Sequence, residues 1–170
     1  MRQNKCILSV LLVFLFLNES AGAQDAQMLL AGNVILGFPS GDFKQGYSYA
    51  TGFDATMGFG GKKLLLTGTT GYVTYKQKDA NTYGKITLIP FKAGLRIYPY
   101  KDFFLSANAG MGFLKDANML SRETRFIYDL GFGIHSGVIQ VGLSYDGWKR
   151  KNTTGTSNTL QLKMGIALKG

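Results

Sequence analysis

The sequence predicts an all-β fold of eight long antiparallel strands, running up and down around a closed barrel. Large apolar and small polar residues alternate along eight segments, as they do when side chains point to opposite faces of a strand. The connections between those segments alternate between short and long. Beyond the first residues, no segment carries a 3.6-residue apolar period.

Those first residues stand apart. Arg2 and Lys5 precede the apolar run Cys6–Leu17, and Ala21-Gly22-Ala23 supplies a small-x-small cleavage pattern. This is the layout of an export signal, and the run falls short of the roughly 20 residues a spanning helix needs. The expected division is a signal peptide at 1–23 and one barrel domain at 24–170. Cys6 is the chain's single cysteine, with no lipoprotein box before it, so the exported part has no disulfide, thiolate site or cysteine nucleophile.

Strands are expected at 28–38, 47–60, 64–75, 85–98, 103–114, 125–135, 138–148 and 158–168. They are longer than the usual soluble strand of about 5–6 residues and match the roughly 9–11 tilted residues that cross a bilayer. The second, YSYATGFDATMGFG, sets Tyr47, Tyr49, Thr51, Phe53, Ala55, Met57 and Phe59 against a row of small residues and Asp54. The fourth sets Ile89, Phe91, Ala93, Leu95 and Ile97 against Pro90, Lys92, Gly94 and Arg96. In the fifth, Phe103, Leu105, Ala107, Ala109, Met111 and Phe113 oppose Phe104, Ser106, Asn108, Gly110 and Gly112. The sixth opposes Phe126, Tyr128, Leu130, Phe132 and Ile134 to Ile127, Asp129, Gly131, Gly133 and His135. The seventh and eighth repeat the pattern, with Gln140, Ser144, Asp146, Gln161 and Lys163 on the polar side. Ile35 and Val73 break the alternation in strands one and three.

The polar row is unlike a water-facing row, which favours long charged side chains. Gly, Ser, Ala and Asp suit a confined space, and an eight-stranded barrel has an interior its own side chains fill. Lys92 or Arg96 turned to lipid would cost roughly 2–4 kcal/mol each at the bilayer midplane. The small row therefore faces the lumen and the apolar row faces lipid. Tight turns at one rim and long loops at the other fit the same architecture. Tyr47, Tyr49, Phe59, Tyr98, Tyr100, Phe103, Phe113, Phe126, Tyr145 and Trp148 gather toward strand ends and are expected at the membrane–water boundaries.

The segments LGFPSGDF (36–43), PFKAGLRIY (90–98), ANAGMGF (107–113), YDLGFGI (128–134) and VGLSY (141–145) resemble the small outer-membrane β-barrel proteins of Gram-negative bacteria, the porin-like OmpA/OmpX type. The resemblance covers the chain beyond the leader. It implies an integral barrel of the cell envelope, inserted by the barrel-assembly machinery and surrounded by outer-membrane lipid and lipopolysaccharide. Such chains commonly end in an aromatic residue that the machinery recognises, whereas this one ends Leu168-Lys169-Gly170.

The inward charges are Asp54, Asp129 and Asp146 with Lys92, Arg96 and Lys163, expected to pair and plug the lumen because an unpaired charge there is costly. The functional alternative is an ion-selective constriction. His135 is the one histidine, which excludes histidine-cluster metal sites. The resemblance also extends to small outer-membrane barrels that are lipid A deacylases, with a His-x-Ser pair on one face and a nearby Glu. His135-Ser136 has the wrong spacing and Glu123 falls in an expected loop, so no enzyme activity and no cofactor are expected. Lys44, Lys76, Lys78, Lys115, Arg122, Lys149, Arg150 and Lys151 make the long loops basic, outnumbering Asp42, Asp79, Asp116 and Glu123. The full chain carries a net charge of +9. Such loops suit phosphates of lipopolysaccharide, surface polysaccharide or a host ligand; no nucleic-acid module accompanies the charge. The expectation is a monomeric structural or adhesive barrel. A small-solute channel and a soluble barrel holding an apolar ligand, with the faces inverted, are the alternatives.

Overall fold

A computed structural model of the chain describes residues 26–78, 84–116, 123–149 and 156–170. The expected leader and the loop residues Asp79, Arg122, Arg150 and Lys151 lie outside the described residues. The chain forms a closed barrel of β1 (Gln27–Ser40), β2 (Tyr47–Gly60), β3 (Leu64–Gln77), β4 (Ile86–Ile97), β5 (Phe103–Asp116), β6 (Glu123–Ser136), β7 (Ile139–Lys149) and β8 (Thr156–Lys169). Each strand pairs antiparallel with its sequence neighbours, and β8 closes on β1 through pairs running from Leu29–Lys169 to Ser40–Asn158. All eight expected strands are present, within two residues of their expected bounds. One short helical turn, α1 (Phe43–Gly46), sits in the β1–β2 connection.

The three short connections share one rim. The tightest joins β6 to β7 at Gly137, whose φ of 61° is a conformation glycine adopts without strain. The β1–β2, β3–β4, β5–β6 and β7–β8 connections share the other rim.

The wall is apolar outside and polar inside. Val34, Phe59, Leu66 and Phe126 are 62–68% exposed, whereas Asp129 is 2% and Lys92 7% exposed. In β4 the buried residues Leu88, Pro90, Lys92 and Arg96 alternate with the exposed Phe91, Ala93, Leu95 and Ile97 from the middle of the strand onward. The faces are not inverted, which overturns the soluble barrel with an apolar lumen.

Three aromatics expected at the outer boundary lie inside instead: Tyr47, Tyr98 and Trp148 are all buried. The β2–β3 register shifts between Tyr47 and Tyr49. This irregularity leaves Tyr49 outside and turns Tyr47 inward, since a bulge places residues two apart on different faces. Tyr98 and Trp148 need no such device. They continue the inward parity of Arg96 and Asp146.

Ile35 and Val73, which break the strand patterns, find their reason here. Both point into the lumen near the long-loop rim, in a cluster with Phe43, Tyr47, Ala50, Tyr75, Leu88, Leu114, Ile127 and Trp148. Phe43, carried inward by α1, meets Tyr75 and Trp148 edge-on at 5.2 and 5.0 Å between centroids. A smaller cluster of Leu29, Ala31, Leu65, Tyr98, Phe104 and Ala167 fills the lumen at the short-turn rim. The barrel interior is therefore layered, with polar side chains held between two apolar ends.

Candidate functional site

The polar layer draws residues from all eight strands. Lys92 of β4 forms ion pairs with Asp129 of β6 and Asp146 of β7, the second at 3.0 Å. Asp129 accepts a hydrogen bond from Asn108 of β5 at 2.8 Å, and Thr67 of β3 donates to Asn108 at 3.0 Å. Ser144 donates to Asp146 at 2.7 Å. Lys163 of β8 lies 3.0 Å from Asp54 of β2. Asn33 of β1 donates to Asp54 at 2.6 Å, and Gln140 of β7 donates to Asn33 at the same distance.

Arg96 is the exception. It is buried, yet finds no carboxylate among the described residues. It donates to the amide oxygen of Gln140 at 3.1 Å and lies 4.3 Å over the Phe104 ring. One-to-one pairing of three acids with three bases is thus not the arrangement found, because Lys92 takes two acids. Phe104 can lie beneath Arg96 because Gly133 leaves its inner face bare. A Cβ there would come within 2.7 Å of the ring and of the Gly142 backbone.

Little space is left. The two voids within the polar layer have volumes of about 30 and 10 Å³, room for a water or two. At the long-loop mouth a hollow of about 540 Å³ is lined in part by Asp42, Phe43, Arg125 and Trp148. Glu123 and Arg125 pair beside it. Lys44, Lys76, Lys78, Lys115 and Lys149 are exposed at this rim.

His135, Ser136 and Glu123 do not assemble into a hydrolytic site. The His135 ring is buried near the short-turn rim, with Nε2 3.1 Å from the Ala167 carbonyl oxygen. Ser136 is exposed, and Glu123 begins the same strand at the opposite rim. Among the described residues no cluster of metal-ligating side chains occurs.

Asn33, Asn108, Gln140, Ser144 and Thr67 are network members that the charge inventory alone passed over. Asn108, Gln140 and Ser144 sit in inward rows legible from the sequence, where an amide or hydroxyl among small residues was a readable signal; Thr67 lay in the strand whose alternation Val73 obscured. Asn33 lay in the strand whose alternation Ile35 obscured.

A closed eight-stranded meander with an apolar outer wall and a charged interior has the architecture of the OmpA/OmpX-type barrels. The chain is similar in structure to Ail, the attachment invasion locus protein of Yersinia pestis, with a TM-score of 0.60 at 13% identity over 85% of this chain and 100% of that one. Ail in complex with the heparin analogue sucrose octasulfate matches with a TM-score of 0.51 at 13% identity, with the same coverage. The N-terminal β-barrel domain of Pseudomonas aeruginosa OprF matches with a TM-score of 0.50 at 16% identity, over 85% of this chain and 98% of that domain. No family model matches the sequence. No curated protein matches it either.

Proposed function

We propose that the protein is a monomeric integral barrel of the Gram-negative outer membrane, with a plugged lumen and no enzyme activity, which stabilises that membrane and presents basic loops to anionic ligands. The observation that carries this reading is the inside-out wall: large apolar side chains exposed on every strand, ionised ones buried within. In water an apolar surface of that extent would drive aggregation. In lipid it is the favourable surface, and a closed barrel leaves no strand edge unpaired. Fourteen residues at about 3.3 Å each, tilted about 40°, rise roughly 35 Å, enough to cross the hydrocarbon layer.

The orientation follows from the rims. Short turns belong to the periplasmic side and long loops to the cell exterior, so the exposed lysines of the long-loop rim meet lipopolysaccharide or surface ligands. The similarity to Ail, solved with a sulfated heparin analogue, supports an anionic polysaccharide as the ligand class. The small voids argue against solute passage.

Cell fractionation followed by gel electrophoresis with and without boiling tests the proposal. The expected result is an outer-membrane band whose mobility changes on heating. A protein absent from that fraction, with mobility indifferent to heat, would sink the reading.

A further inference from the structure

The polar layer runs short of acceptors at one point. Every carboxylate oxygen in it already meets a donor. Asp54 has Asn33 and Lys163, Asp129 has Asn108 and Lys92, and Asp146 has Ser144 and Lys92. The amide oxygens of Asn33, Asn108 and Gln140 are taken as well, by Gln140, Thr67 and Arg96. Arg96 carries five N–H donors and cannot lose its charge. It donates to Gln140, but its buried Nε–H meets no acceptor. Three acids are divided between two lysines, which leaves Arg96 a buried cation with no counter-ion among the described residues, a costly state.

The larger void of the layer, about 30 Å³, borders Arg96. It has room for a water or two, hence for one single-atom ion and not for a tetrahedral oxyanion. Thr56, Thr69 and Ser106 also line it. Thr56 and Thr69 share one hydrogen bond at 2.9 Å, which leaves one of their two hydroxyl protons to spare. A Cβ at Gly131 would come within 3.0 Å of Ser106 Oγ, so the bare backbone there keeps that hydroxyl's side of the void open. Lys163 adds a second cation to the boundary, and Asp54 and Asp129 reach it with their oxygens already committed. A water here would accept from Arg96 but bring two more protons to a place whose oxygens are taken. A halide only accepts, and it supplies the missing charge. We propose that this void is a binding site for one chloride ion, held by Arg96 Nε–H, the Ser106 hydroxyl and the spare proton of the Thr56–Thr69 pair. The ion is a fixed part of the lumen filling, shut in by the apolar clusters at either end, and it enters as the barrel closes. The site lies wholly inside the barrel and does not depend on what meets the outer wall.

The test folds the full chain in detergent micelles at constant ionic strength, with chloride exchanged stepwise for gluconate, and follows the urea transition. One ion bound by the folded state alone raises the folded-to-unfolded ratio by up to about tenfold per tenfold of chloride. Wild type should approach that slope, with bromide acting as chloride does. Arg96→Gln should be indifferent to chloride. Lys101→Gln, an equal charge change at the exposed short-turn rim, should keep the wild-type slope. Ser106→Ala leaves Arg96 in place and should need about tenfold more chloride for the same gain, the worth of one hydrogen bond to a charged group. Wild-type crystals grown in bromide supply a readout that needs no variant, an anomalous peak within hydrogen-bonding reach of Arg96 Nε and Ser106 Oγ. Should Arg96→Gln fail to fold, Ser106→Ala and the bromide map decide. A wild type indifferent to chloride overturns the proposal, as does equal chloride dependence of wild type and either lumen variant. A water in the void, or bromide on surface lysines as an adventitious ion only, overturns it too.

Discussion

The lumen is filled in two different ways along its axis. At the long-loop end, Phe43, Tyr47, Tyr75 and Trp148 pack edge to face with Ile35, Val73, Leu88 and Ile127. In the middle, Lys92, Asp129, Asp146, Asp54 and Lys163 occupy the same kind of space with charge. The first region depends on shape, and any side chain of similar volume can replace part of it at modest cost. The second depends on completeness, because a buried charge that loses its partner keeps the whole penalty of having left water. Similar burial therefore hides opposite sensitivities to mutation.

The largest effect should come from the charged layer. Lys92→Met strands two carboxylates at once and should lower stability by about 3–5 kcal/mol, read as a fall in the urea midpoint of the heat-modifiable band. Adding Asp129→Asn and Asp146→Asn to the same chain should recover most of that loss. A triple variant no more stable than Lys92→Met would mean that the layer works through shape after all. In the aromatic end, Phe43→Ala should cost about 3 kcal/mol while Phe43→Leu costs less than about 1.5. Equal losses for the two variants would erase the contrast. The smallest change belongs to Tyr47→Phe, which removes a 3.0 Å hydrogen bond from the hydroxyl to the Gly84 carbonyl and should cost about 1 kcal/mol. A thermal scan of the folded band is enough to see it, and a loss of several kcal/mol would show that the aromatic end also relies on polar satisfaction.

The same two regions differ in how far the sequence disclosed them. The charged layer lies where small and large residues alternate without interruption, so Asp54, Lys92, Arg96, Asp129, Asp146 and Lys163 could be placed inward before any coordinates. Their partners could not. Which acid meets Lys92 depends on the stagger of non-adjacent strands, a property of barrel closure rather than of any segment. The aromatic end resisted reading because its residues are large on both faces. A ring near a strand end suits a membrane boundary as well as an interior, and the register irregularity at Tyr47 carries no residue signature. For Tyr98 and Trp148 the signal was present in parity alone, and the boundary preference of aromatics obscured it.

The eight-strand reach of the polar layer has a consequence for how the barrel is made. Lys92 on β4 finds its acids only on β6 and β7, and Asp54 on β2 finds its lysine only on β8. A sheet grown from either terminus and halted halfway carries ions whose counter-ions are still missing, in a solvent that tolerates them poorly. Neutrality arrives when the last seam zips, so a half-built intermediate is electrically penalised and the finished cylinder is the first state in which each aspartate has met its cation.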